Sequence, residues 1–128
     1  MTLDSSVLIA ILFEEPNYLD LVDKIVEADA VRVGARTLVE TSIVFAKRRR
    51  SGPVGPVEGL VRELDITVVP FGEREWHAAT NAYLTFGRGR HPAALNFGDC
   101  LTYATASTAH DTLLFIGDDF SKTDIQPA

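Results

Sequence analysis

The residues in this sequence best suited to chemistry are four acids, each within or directly after an apolar segment. They are Asp4, Glu40, Asp99 and Asp118. Carboxylates that lie close together repel one another, and protonation of some of them or a bound cation relieves that repulsion. A site built from oxygen ligands, without His or Cys, favours Mg²⁺ or Mn²⁺ over zinc. Such an ion can orient a water molecule for in-line attack, so the four acids indicate metal-dependent hydrolysis of a phosphodiester.

Asp99 lies in the segment from Asn96 to Ala109, which combines apolar residues with small hydroxyl residues and has no other charged side chain. This composition predicts a helix that is hydrophobic on nearly every side and therefore buried. An aspartate is rarely buried without a partner, so Asp99 caps this helix, pairs with a base or holds a metal ion. Capping alone would account for its position, because the helix dipole favours an acid in the first turn.

Glu40 has two explanations from the sequence. Thr37 can cap a predicted helix, and Glu40 then occupies the third position of a capping box. The competing observation is that Ile43 and Val44 follow three and four residues later, so the carboxylate shares a helix face with side chains that should pack inward. The second explanation makes Glu40 part of a functional site.

An alternating pattern of predicted strands and helices places these acids. Strands are predicted at residues 1–3, 30–35, 66–69 and 112–116, with helices between them and a small edge strand at 123–128. This order implies an α/β fold with three layers, in which a mostly parallel central sheet of four to five strands has helices on both faces. Segments that follow parallel strands meet at one edge of the sheet, so Asp4 and Asp118 emerge there directly. Glu40 and Asp99 would reach the same edge from the early turns of their helices.

Asp118 and Asp119 are adjacent, and neighbouring side chains of an extended segment point to opposite sides. Only one of the two is therefore expected to face a metal ion. We predict Asp118, which is nearer the strand, with Asp119 as its substitute. Turn formation is an alternative for the pair, because aspartate stabilises turn backbone.

The composition predicts one ordered domain spanning residues 1–128. Hydrophobic residues make up 46% of the chain and charged residues 23%, which is typical of a globular protein. No apolar run approaches the roughly 20 residues of a membrane helix, and the N-terminus lacks the basic start of a signal peptide. A cytoplasmic protein without membrane attachment is therefore expected. The single cysteine, Cys100, is predicted to be a buried apolar residue without a redox role.

The net charge of −6 argues against nucleic-acid binding through the overall field, but two basic segments are suited to local contacts with RNA phosphates. The residues are Arg48, Arg49 and Arg50 at the end of a predicted helix, and Arg88 and Arg90 in a glycine-containing loop. Both segments also have ordinary explanations as a complement to the helix dipole and as solvated surface. Trp76 lies on the apolar stripe of another predicted helix and is interpreted as a core residue rather than a base-stacking platform.

Short segments spread over the whole chain carry a family resemblance. They are Leu3-Asp4-Ser5-Ser6, Glu40 early in a helix, Gly98-Asp99 followed by Leu101, Ala104 and Ala106, and Leu114 to Phe120 with Thr123-Asp124-Ile125. In this order and spacing they resemble a PIN-domain ribonuclease, and specifically a VapC-type toxin of a bacterial toxin–antitoxin pair.

The resemblance implies a PIN-like fold and endonucleolytic cleavage of RNA with Mg²⁺ or Mn²⁺. It implies an acidic catalytic quartet of Asp4, Glu40, Asp99 and Asp118, whose aspartates hold the metal, with Ser6 as a polar helper. It also implies a homodimer and inhibition by a small antitoxin that inserts into the active-site groove. Nothing in the sequence distinguishes transfer, ribosomal and messenger RNA as the target.

Two other functions stay open at this point. An Asp-based phosphoryl-transfer domain would use Asp4 as nucleophile, but sites resembling haloacid-dehalogenase phosphatases have a second acid where Ser6 stands. A non-catalytic α/β interaction module would use the four acids only in caps and turns. Metal binding separates these cases, because an interaction module should gain no stability from Mn²⁺.

Overall fold

The computed structural model describes residues 1–49 and 55–128, so Arg50 lies outside the described residues. Within these ranges the chain forms four strands and six helices. The strands are β1 (Thr2–Leu3), β2 (Arg32–Gly34), β3 (Thr67–Val69) and β4 (Leu113–Leu114). The helices are α1 (Ser5–Leu12), α2 (Tyr18–Glu27), α3 (Ala35–Arg49), α4 (Gly55–Glu63), α5 (Glu73–Phe86) and α6 (Phe97–Ala109). None of the helices in these ranges combines the length and the apolar character that a bilayer crossing requires.

The four strands form one parallel sheet in the order β3-β2-β1-β4. In the centre, Leu3 of β1 lies between Val33 of β2 and Leu114 of β4. The predicted edge strand at residues 123–128 is reduced to an isolated bridge between Leu113 and Pro127. The predicted parallel sheet is confirmed, and the carboxyl ends of its strands lie at one edge, where ligands bind in open α/β folds.

Helices cover both faces of the sheet and enclose two apolar cores. Helices α1, α2 and α4 pack on one face around Leu3 and Val33, and α5 and α6 pack on the other around Ala104. Leu113 and Leu114 are neighbours on β4 but belong to different cores, because successive side chains of a strand point to opposite faces. The predicted three-layer arrangement is therefore confirmed.

The predicted burial of α6 is also confirmed. Its buried side chains are Cys100, Leu101, Thr102, Ala104, Thr105 and Ala106. The buried hydroxyls have partners, since Thr105 Oγ1 donates to the Leu101 carbonyl at 3.1 Å and Thr102 Oγ1 lies 3.2 Å from Thr37 Oγ1 of α3. Small side chains with satisfied hydroxyls let α3 and the sheet pack closely against α6.

Helix α3 starts immediately after β2, and this corrects one prediction. The helix begins at Ala35, so Thr37 lies inside its first turn and is buried rather than capping the helix. Glu40 is therefore not the third residue of a capping box. Close packing explains the glycine at this junction, because a Cβ at Gly34 would lie 2.7 Å from Thr105 Oγ1.

Trp76 is 57% exposed, so its predicted place in the core is wrong. Helix α5 buries the small residues Ala79 and Ala82 instead, which allows it to approach α6 closely. The indole of Trp76 stacks on His77, with 4.5 Å between the ring centroids. The bulky ring is thus left at the surface, where it lines a cavity between α5 and α6.

Candidate active site

Asp4 occupies the junction between β1 and α1, where it caps the helix. Its backbone is extended (φ −84°, ψ 159°), and the residue is 8% exposed. Its Oδ2 accepts hydrogen bonds from the Ser6 amide at 3.0 Å and from the Ser6 hydroxyl at 2.6 Å. The cap therefore uses one carboxylate oxygen, while Oδ1 has no hydrogen-bond partner among the described residues.

Ser6 joins Asp4 to the end of β4. Its hydroxyl donates to Asp4 and accepts a hydrogen bond from the Ile116 amide at 3.0 Å. The backbone reinforces this link, because the Asp4 amide donates to the Leu114 carbonyl at 3.0 Å. Ser6 thus fixes both the direction of the Asp4 carboxylate and the start of the segment that leads to Asp118.

Asp99 belongs to a reciprocal capping box at the start of α6. Its amide donates to Asn96 Oδ1 at 3.0 Å, and its own Oδ2 accepts from the Asn96 amide at 2.8 Å. The capping role that the sequence offered as an alternative is therefore present. It again uses only one oxygen of the carboxylate.

Glu40 lies on the second turn of α3, directly against the start of α6. A Cβ at Gly98 would lie 2.9 Å from Glu40 Oε2 and 3.1 Å from Oε1, so the glycine leaves the space that the carboxylate occupies. The glycine before Asp99 is thus explained by packing, since any larger residue would push Glu40 away.

The acids act on one another electrostatically. Burial raises the pKa of Glu40, and the charges of Asp4 and Asp99 raise it further, against the lowering effect of a hydrogen bond from Ser5. Burial also raises the pKa of Asp99; the Asn96 amide lowers it, while Asp119 and Asp4 raise it. Acids from the end of β1, from α3, from α6 and from the segment after β4 therefore share one electrostatic site.

Asp4, Glu40 and Asp99 are close enough for their charges to interact but not for joint ligation as they stand. Within residues 1–49 and 55–128, no group of three or more His, Cys, Asp or Glu side chains could hold a metal ion in this arrangement. In the same ranges Asp4, Glu40 and Asp99 form no ion pair with a basic side chain. Their negative charge is thus concentrated without an ion-pair partner among the described residues.

The segment after β4 brings Asp119, rather than Asp118, into electrostatic range of Asp99. Gly117 has a positive φ of 102°, which turns the chain away from the line of the strand. The Asp118 carbonyl then accepts hydrogen bonds from the Ser121 amide and hydroxyl, at 3.2 Å and 2.6 Å. The geometry therefore favours Asp119, the substitute from the sequence, as the fourth acid of the site.

Comparison with known proteins agrees with this architecture. The family model of the PIN domain matches residues 1–126. Ribonuclease VapC28 of Mycobacterium tuberculosis is 40% identical over 129 residues, an alignment that covers 100% of this chain and 97% of that protein. This chain belongs to the VapC family of PIN domains.

Two solved structures share the PIN fold of this chain. One is a toxin–antitoxin complex from Klebsiella pneumoniae, with a TM-score of 0.72 and 14% identity, covering 96% of this chain and 92% of that chain. The other is VapC20 of Mycobacterium tuberculosis, a sarcin-ricin loop cleaving toxin, with a TM-score of 0.70, 16% identity and 98% of each chain covered. At these identities the likeness shows the fold alone.

The basic residues predicted to contact RNA have different surroundings: Arg48 and Arg49 contact other side chains of the protein, and Arg88 lies near the acids. Arg48 pairs with Glu15 at 2.7 Å, and Arg49 lies over the rings of Phe13 and Phe45. The charge of Arg88 lowers the pKa of Asp99, so the loop before α6 lies near the acids. The structure therefore brings Arg88 to the site, and it gives Arg48 a carboxylate partner within the protein.

Two residues beside the acids were missed from the sequence. Phe97, the first residue of α6, is 75% exposed although it is aromatic. Arg36 lies one turn before Glu40 on α3, and its guanidinium sits 4.5 Å above the ring centroid of Phe71. For Arg36 the spacing to Glu40 was a usable signal, because residues four apart share one helix face, whereas Phe97 is two residues from Asp99 and its spacing carried no such signal.

Glu40→Gln should raise the melting temperature by a few degrees at pH 7 without metal. The raised pKa means that the folded state holds this proton more tightly than the unfolded state, so ionised Glu40 destabilises the fold above its folded pKa. The gain should shrink as the pH falls towards about pH 4, where the wild-type carboxyl is largely protonated too. Thermal unfolding in EDTA measures the difference, with the exposed Glu27→Gln as a control. A loss of stability at pH 7, or a gain equal at both pH values, would contradict this expectation.

Proposed function

We propose that this protein is a metal-dependent endoribonuclease and the toxin of a toxin–antitoxin pair. The observation that supports it most is the convergence of Asp4, Glu40 and Asp99, which come from three separate elements at the carboxyl edge of the sheet, so that the charges of Asp4 and Asp99 raise the pKa of Glu40 and the charge of Asp4 raises that of Asp99. Like charges placed together are costly to a fold and are found mainly where function needs them. The substrate class is supported by the relative named ribonuclease VapC28.

The donor set suits Mg²⁺ or Mn²⁺, since it consists of carboxylates without His or Cys. Asp4, Asp99 and Asp119 would hold the ion, with Asp118 as the alternative to Asp119. When bound, the ion would supply Lewis-acid activation of a water molecule and would offset charge on the phosphate. Ser6 orients the Asp4 carboxylate and Asn96 orients that of Asp99, so each keeps one oxygen outside its cap.

Glu40 is the residue best suited to proton transfer. Burial and its acidic neighbours raise its pKa, which brings the carboxyl closer to neutral pH than an ordinary glutamate. Gly98 leaves room for both of its oxygens at the start of α6. We assign to Glu40 the role of accepting a proton from the attacking water.

The direct test is cleavage of a fluorophore–quencher RNA by purified protein in Mg²⁺, in Mn²⁺ and in EDTA. We expect cleavage with either metal and none in EDTA. The matched variant is Asp4→Asn, because asparagine is also a good N-cap and removes only the charge. If Asp4→Asn and wild type cleave RNA equally, the activity comes from a contaminating nuclease. If neither protein cleaves any class of RNA, the proposal is refuted.

A metal titration separates the nuclease from a non-catalytic module without using activity. An assembled carboxylate site should gain about 2.7 kcal/mol of unfolding free energy at a Mn²⁺ concentration of about 100 Kd. The same titration of Asp4→Asn should give a much smaller gain. If Mn²⁺ does not change the melting temperature of the wild type, the result favours the non-catalytic interaction module.

We also infer a homodimer that a cognate antitoxin neutralises. Support comes from the shared fold with a chain of a toxin–antitoxin complex. Co-expression with the protein encoded by a short adjacent reading frame should yield a stable complex that lacks RNA cleavage. Light scattering of the isolated protein should give twice the monomer mass, and a monomer at all concentrations would remove the dimer from the proposal.

A further inference from the structure

A groove between α3 and the start of α6 leads away from the acids. It encloses a cavity of about 640 Å³. The lining residues used below are Arg36, Glu40 and Lys47 of α3, with Phe97, Gly98 and Leu101 of α6. Glu40 and Gly98 line this α3–α6 groove and also belong to the candidate active site, so the groove and the site are continuous.

Phe97 presents an aromatic ring at this groove. It is 75% exposed, the largest exposure among the large apolar side chains described in residues 1–49 and 55–128. Its backbone is held by the capping box of Asn96 and Asp99, so the ring is attached to the same helical turn as a proposed metal ligand. An exposed ring in such a fixed place is suited to stacking on an unpaired base.

Two cations flank the ring and the acids along α3. Arg36 precedes Glu40 by four residues and Lys47 follows it by seven, so all three share one face of the helix. The helical rise separates the two cations by about 16 Å along the axis. Neither forms an ion pair with a carboxylate among the described residues, whereas Arg32 and Arg48 both do.

We propose that the α3–α6 groove binds a single-stranded segment of the RNA substrate, with Phe97 stacking on a base beside the cleaved bond and with Arg36 and Lys47 contacting phosphates. This inference rests on the proposed function. Charge complementarity favours RNA over a second copy of this chain. The two cations have no carboxylate partner among the described residues, the groove is continuous with the proposed nuclease site, and Glu40 is the sole acid among the described lining residues.

The test is binding of a fluorescein-labelled single-stranded RNA by anisotropy, in EDTA and in an Asp99→Asn background that keeps the RNA intact. Phe97→Ala should weaken binding roughly tenfold, and Phe97→Tyr should restore it to within about twofold, because stacking needs the ring. Arg36→Ala and Lys47→Ala should each lower the slope of log Kd against log salt by about 0.7, while Phe97→Ala leaves the slope unchanged. Leu19→Ala and Lys24→Ala, at exposed positions on α2, are the matched controls and should change neither value.

Two results would overturn the proposal that the α3–α6 groove binds RNA. One is RNA binding by Phe97→Ala that equals the parent in affinity. The other is a loss of binding that coincides, in light scattering at the same concentration, with conversion of a dimer into a monomer, which would make the groove a face between copies. If wild type still cleaves RNA with metal in either case, only the groove is wrong. If wild type neither binds nor cleaves RNA, the proposed function fails together with it.

Discussion

Asp99→Asn should reduce RNA cleavage by about a thousandfold or more while leaving the fold intact. The amide oxygen of asparagine can still accept the hydrogen bond that the Asn96 amide gives to Asp99, so the capping box survives. What disappears is a negative charge at the proposed metal site, and metal-assisted stabilisation of the transition state is worth several kcal/mol. Steady-state cleavage of the fluorophore–quencher RNA gives the rate, and circular dichroism with thermal unfolding checks the fold.

Asp99→Ala is the informative companion, because alanine removes both the charge and the carboxylate half of the capping box, while Asn96 still accepts from the amide of residue 99. It should lose cleavage to the same extent and should be about 1 kcal/mol less stable than Asp99→Asn. The pair therefore separates the two roles of one side chain. If Asp99→Asn kept wild-type cleavage, Asp99 would act only as a cap, and the nuclease site would have to lie elsewhere.

Asp4 and Asp99 each have two roles, as a helix-capping residue and as a proposed metal ligand, and this explains what the sequence predicted and what it left open. The pattern of strands and helices was sufficient to place Asp4 and Asp99 near one edge of a parallel sheet. It offered capping and function as alternatives, yet both side chains cap a helix with one oxygen and keep the other outside the cap. Helix starts after strands are where capping acids and ligand sites meet in α/β folds, so the two roles coincide for a physical reason.

The wrong predictions share another cause, which is close packing between helices distant in sequence. Thr37 matched a cap in type and spacing, but contact with Thr102 of α6 draws it into the core. Trp76 lay on the apolar stripe of α5, but the small residues of α5 and α6 pack too closely to admit an indole. Periodicity predicts which face of a helix is apolar, and only the partner helix decides which residues on that face are covered.

Asp119→Asn should reduce cleavage at least about a hundredfold, whereas Asp118→Asn should stay within about threefold of wild type. Strand alternation favoured Asp118, but β4 ends at Leu114 and the positive φ of Gly117 turns the chain before either acid is reached. Asp119 then raises the pKa of Asp99, which places the two charges at one site. The two variants remove the same charge from adjacent exposed positions, so each controls for the other in net charge and in effects on the turn.

A metal ligand affects both cleavage and metal binding. The variant that loses cleavage should therefore also lose the Mn²⁺-dependent rise in melting temperature. Loss of both in Asp118→Asn would return the assignment to Asp118, and loss in neither would limit the metal ligands to Asp4 and Asp99.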